Sequence, residues 1–82
     1  MKYFVVSSIQ QIKAFELLGA QGLVDDCDKN QLKTKITELI NNKDIGTLIL
    51  SKKAYESSID VVEAHKSRGT FPIVVLQSEL EA

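Results

Sequence analysis

The side chains that could do chemistry in this 82-residue sequence cluster just after short apolar runs. Ser7 and Ser8 follow "YFVV", and Asp25, Asp26 and Cys27 follow "LV". Ser51, Lys52 and Lys53 follow "IGTLIL", and Gln77 and Ser78 follow "FPIVVL". Two serines opening a helix can hold a small anion through hydroxyls and backbone N–H groups. A dinucleotide or phosphate loop, however, needs glycines so that the backbone can turn tightly and approach the phosphates. "SSIQQI" has none, and a helix-capping joint is the expected use of Ser8. Paired aspartates suit a hard cation only when further oxygens converge from other segments, so Asp25 and Asp26 are expected to be solvated. Cys27 has Asp25, Asp26 and Asp28 around it rather than the cationic neighbours of a reactive thiolate. His65 is the only histidine, with no second ligand or nucleophile spaced for it, and is expected at the surface or boundary. Lys52 and Lys53 oppose a helix dipole at its start, which suits an acidic partner as well as plain solvation. A phosphoacceptor domain would need acids after the first strand and an aspartate after the third. Serines hold those places.

Elements must carry these residues to one edge. Four runs rich in β-branched residues read as strands: Tyr3 to Val6, Leu23 to Val24, Ile45 to Leu50 and Phe71 to Leu76. Three of them are nearly continuous in hydrophobicity, as parallel strands covered on both faces are. Pro72 falls at the start of the last, where a missing N–H costs least. Three helical patterns lie between. Ser8 with Gln11 and Asp28 with Gln31 fit capping boxes. Ile9, Ile12, Phe15 and Leu18 predict a buried stripe that Gly19 ends; Leu32, Ile36, Leu39 and Ile40 predict a second, closed by Asn41 and Asn42. Ser51 caps a third helix with Tyr55, Ile59 and Val62 on one face, ending in Lys66, Arg68 and Gly69. The expectation is one α/β domain over residues 1–82: a small four-stranded parallel sheet in the order β-α-β-α-β-α-β, with right-handed crossovers and helices on both faces, Rossmann- or flavodoxin-like.

Composition narrows the function classes. The sequence is 44% hydrophobic and 26% charged with formal net charge -1, a globular balance without the basic field that nucleic acid requires. One cysteine permits no intrachain disulfide. No apolar run nears the roughly 18 residues of a membrane span, so no membrane insertion is expected and the cytoplasm is the expected compartment. No cofactor and no metal are expected.

Three segments together carry a family resemblance. "FELLGA" (Phe15 to Ala20), "DIGTLILS" (Asp44 to Ser51) and "FPIVVLQS" (Phe71 to Ser78) resemble the F subunit of the V-type and archaeal-type rotary ATPases. On that resemblance Phe15, Leu18, Gly19, Asp44, Ile45, Gly46 and Pro72 specify the fold: Phe15 and Leu18 pack the first helix, and Gly46 admits a neighbouring helix closely. The resemblance implies a non-catalytic component of the central stalk. Such a component docks on the coiled-coil D subunit and on other rotary ATPase subunits, coupling ATP hydrolysis or synthesis to ion transport. It would be cytoplasmic and peripheral to a membrane-bound complex. The chain has Ser7-Ser8 where the family has Gly-Asp, and "QSELEA" where the family continues into a stalk helix. The expected docking residues are Gln77, Ser78, Glu79 and Leu80, with Lys52 and Lys53 second. The competing expectations are a flavodoxin-like ligand-binding or phosphoryl-signalling domain, and a homodimer formed through a sheet edge.

Overall fold

The computed structural model describes residues 2–70 and 72–77. Four strands, β1 (Lys2–Ser7), β2 (Gln21–Val24), β3 (Ile45–Leu50) and β4 (Ile73–Leu76), form one sheet in the order β2-β1-β3-β4. Every pairing is parallel. The connections are α1 (Ile9–Glu16), α2 (Lys29–Ile40) and the pair α3 (Lys52–Ser57) and α4 (Ile59–Arg68). The parallel α/β expectation holds, with one more helix than the sequence pattern predicts.

The chain first steps from β1 outward to β2, then crosses back over β1 to β3 and on to β4. Right-handed crossovers in opposite directions must lie on opposite faces. Accordingly Val5, Ile49 and Ala20 are buried with Ile12 of α1 on one face. Val6, Leu48, Leu50 and Val74 are buried with Leu32, Ile36, Ala54 and Val62 on the other, under α2, α3 and α4. Alternation along each strand sorts these side chains.

Local chemistry sets the helix boundaries. Asp28 accepts from the Gln31 N–H at 2.9 Å and starts α2, as its spacing predicts. Ser51 accepts from the Ala54 N–H at 3.2 Å and starts α3. Ser8 occupies the N-cap position of α1, but its side chain makes no capping bond, contrary to the predicted capping box. The single third helix is broken by Ser58, whose buried hydroxyl donates to the Ala54 carbonyl at 2.9 Å while its backbone leaves helical geometry. Such back-bonding bends a helix, and the predicted stripe is lost: Val62 is buried but Ile59 is exposed. Gly69, left-handed at φ 66°, ends α4 as expected.

The first stripe also fails at its end. α1 stops at Glu16, and the N–H groups of Leu18 and Gly19 bond back to Phe15 and Glu16 in a turn. Gly19 supplies the left-handed step of that turn at φ 90°. Because the helix stops two residues short of Leu18, that side chain is not buried in the stripe and is 78% exposed; Ile9 also faces solvent. A helix does press on a glycine at Gly22 of β2, where an added Cβ would lie 2.3 Å from Ile12 Cγ2. Gly46 is buried at a skip in the β1–β3 register, between the Lys2–Ile45 and Tyr3–Thr47 pairs. A glycine inside a strand commonly marks such an irregularity. Asp44 donates its N–H to Asn42 Oδ1 at 2.9 Å in the turn that delivers the buried Ile45 to β3.

Candidate functional site: the carboxyl edge and the open strip

In an open parallel sheet, ligands bind beyond the carboxyl ends of the strands where the strand order reverses. Here that point lies between β1 and β3. A shallow cleft of about 350 Å³ sits there, lined by Ser7, Ser8, Gln11, Asp25, Ser51, Lys52 and Gln77. The structure thus brings together the groups that the sequence places after all four strands, Lys52 and Gln77 among them. Lys53 is exposed on α3 and does not line the cleft. Ser78, Glu79 and Leu80 lie outside the described residues.

Four polar side chains of this edge are bonded to one another in two pairs. Ser7, only 2% exposed, donates its hydroxyl to Gln77 Oε1, a bond that spans from the end of β1 to the end of β4. Ser51 donates to Asp25 Oδ2 at 2.5 Å, linking the ends of β3 and β2, while Ser51 Oγ also accepts from the Ala54 N–H and caps α3. The Asp25 and Ser51 N–H groups continue the ladder onto the Ser7 and Val6 carbonyls, both at 2.9 Å. Among the described residues no three His, Cys, Asp or Glu side chains converge to hold a metal. Asp25 is therefore a partner of Ser51 rather than a freely solvated acid. Cys27, a free thiol, packs half-buried against the larger core cluster.

His65 departs from the sequence expectation. It is 4% exposed, and its ring donates from Nε2 to the Pro72 carbonyl at 2.6 Å. Pro72 is itself fully buried just before β4. The imidazole thus ties the end of α4 to the start of β4 and is structural. No local pattern marks it, because its acceptor is seven residues away across a turn.

The feature that sequence reasoning missed is apolar. On the α1 face, beside α1, Tyr3, Thr47, Ile49 and Val75 floor a groove of about 250 Å³ that Phe15 and Leu18 wall. Ile73 lies on the same side by strand alternation and is 54% exposed. Among the described residues, α1 is the only helix on this face, and it packs toward β2 and β1.

These features define a doubly wound parallel α/β domain of flavodoxin-like order, with an internally bonded ligand edge and an open apolar strip. Over residues 4–79 the sequence matches the family of the ATP synthase (F/14-kDa) subunit. The chain belongs to that family, and so is an accessory component of a V/A-type, ion-transporting rotary ATPase that associates with the other subunits of the complex. A comparison with curated proteins finds no match. No helix among the described residues is long and apolar enough to cross a membrane.

Proposed function

We propose that this chain is the non-catalytic F subunit of the central rotor stalk, docked on the coiled-coil D subunit, and that it helps couple ATP hydrolysis or synthesis to ion transport. The observation that carries the reading is the open strip. β3 and β4 with their flanks present an apolar band near one helix diameter, about 10 Å. Tyr3, Ile73 and Leu18 stand out from it into solvent. A contiguous exposed apolar surface on a small domain marks an interaction site, and a coiled coil offers a long helix to lie in it. Lys52 and Gln77 border the carboxyl end of the same region. Ser78, Glu79 and Leu80, next in the chain, extend the contact, with Lys53 as a further charge for it. Chemistry plays no part in this role: the protein is held by its partner, in the cytoplasm, at the periphery of the membrane-bound complex.

Co-expression with the coiled-coil stalk partner encoded in the same genome tests the reading. The expected result is a stable complex by size exclusion, without ATP hydrolysis by the isolated chain. Ile73→Asp and Leu18→Asp should weaken it by about tenfold or more, the scale of interface anchors, without changing the thermal midpoint of the free protein. Asn30→Asp, on α2 at the opposite face, should leave affinity unchanged. Failure of the wild type to bind sinks the docking role, and binding indifferent to Ile73 and Leu18 sinks the strip. The competing ligand-binding reading predicts stabilisation of about 2.7 kcal/mol by a nucleotide, flavin or phosphate at one hundred times its Kd. A flat thermal-shift screen is expected, since Ser7, Ser51 and Asp25 are already bonded to protein groups.

A further inference from the structure

Two rungs of the sheet face the α1 side along β1, β3 and β4. The first is Tyr3–Thr47–Ile73 and the second, two residues on, is Val5–Ile49–Val75. The second is aliphatic, and its Val5 and Ile49 are buried with Ile12 of α1. The first is left open: Tyr3 and Ile73 are 56% and 54% exposed, with Thr47 half-buried between them. The part of the strip that a partner can reach is therefore centred on a threonine. Of the residues lining the groove, only Tyr3 and Thr47 carry side-chain polar atoms, and they are direct neighbours across the β1–β3 pairing. Among the described residues neither hydroxyl is bonded to another group of the protein. A hydroxyl that faces water costs the free protein nothing. Covered by a wholly apolar helix, it would lose its water and gain no partner, and that penalty counts against association.

We propose that Tyr3 and Thr47 are the specificity-determining residues of the strip: they require the helix laid in it to carry a hydrogen-bonding side chain, an amide or a carboxylate, opposite their rung. The inference rests on the docking role above and adds what the strip selects. Each hydroxyl both donates and accepts, so one amide or carboxylate group satisfies the pair. A single polar position in an otherwise apolar seam fixes register at some cost in affinity, as a buried asparagine does between coiled helices. A helix without that side chain, or one shifted along the strip, leaves the two hydroxyls unmet and is rejected. Ile73 and the aliphatic rung supply contact area; the hydroxyl pair supplies the choice.

The test replaces Thr47 in two directions and titrates each variant of the 82-residue chain against the coiled-coil stalk partner encoded in the same genome. Thr47→Val keeps the shape and removes the hydroxyl, whereas Thr47→Ser keeps the hydroxyl and removes the methyl. Tyr3→Phe removes the second hydroxyl alone. Thr47→Val and Tyr3→Phe should each bind about tenfold more weakly than wild type, because a partner group is left unmet in the complex. The free Thr47→Val protein should melt no lower than wild type, since valine suits a strand. Thr47→Ser should bind within about twofold of wild type. A strip that is merely apolar gives the reverse order, with valine and phenylalanine binding as well or better and serine worse. That order, or hydroxyl-free variants that bind as wild type does, overturns the selection and leaves the docking role standing. A wild type that does not bind the coiled coil overturns both.

Discussion

The two faces of the sheet are built from the same strands and have opposite fates. Under α2, α3 and α4, ten buried residues of the described chain form one cluster that includes the fully buried Leu32, Ile36, Leu48, Leu50 and Val62. Under α1 the buried cluster is four residues, Val5, Ile12, Ala20 and Ile49, and the apolar surface continues past it into solvent at Ile73 and Tyr3. One face holds the domain together. The other is half a core, and the family to which the chain belongs supplies the context in which half a core is useful: a small protein that associates with other subunits. Apolar side chains alone do not mark an interface. What distinguishes this strip is that the described residues leave it uncovered.

The largest effect should come from the covered face. Leu48→Ala is expected to cost about 2–5 kcal/mol by urea denaturation, most of the stability of so small a domain. Ile73→Ala on the open strip should stay within about 0.5 kcal/mol. Equal losses at the two positions would erase the distinction between the faces.

Next comes a tight contact of the α1 face. Gly22→Ala places a Cβ against Ile12 and should cost about 1–3 kcal/mol through overpacking. Combining it with Ile12→Val should recover part of that loss, since Cγ2 and Cγ1 of Ile12 are the atoms nearest the new methyl. Additive losses in calorimetric melts would place the strain elsewhere.

The helix starts sharpen the comparison further. Asp28→Ala should cost about 1 kcal/mol because a real capping bond to the Gln31 N–H is lost. Ser8→Ala, which removes no capping bond, should be nearly silent in the same denaturation series.

The smallest effect belongs to the exposed pair Lys33–Asp60, 2.8 Å apart between α2 and α4 on the covered side. The hydrogen bond from Lys33, with the Val61 N–H, holds the Asp60 carboxyl below its ordinary range. A carboxylate depressed in the folded state contributes stability above its unfolded pKa and loses it as the pH falls through the folded value. Asp60→Asn should therefore flatten the acid limb of a stability–pH curve slightly, and added salt should do much the same to the wild type. An unchanged acid limb in the variant would leave the pair without measurable weight.

How far the sequence could be read depended on the range of the interaction. The capping carboxylate of Asp28, the Ser51 cap, the left-handed Gly69 and the parallel strand runs are local, involving partners a few residues apart, and each was legible. Leu18 misled because a spacing of three continues on paper past the point where the backbone turns at Leu17 and Gly19. Ser58 broke the third helix through a hydroxyl bond back to Ala54 that spacing does not reveal. His65 went inside because an acceptor awaited it on Pro72. The carboxyl edge was found as a set of residues, but its pairing of Ser7 with Gln77, seventy positions apart, was invisible.

The sequence by itself determined that this is a parallel α/β chain of the rotary ATPase F-subunit kind, because strand hydrophobicity, helix caps and three ordered motifs are all written in short stretches. Only the tertiary structure decided which surface is left for a partner. That choice follows from crossover handedness, which sends α1 to one face and α2, α3 and α4 to the other. A strand cannot tell from its own residues how many helices will come to cover it.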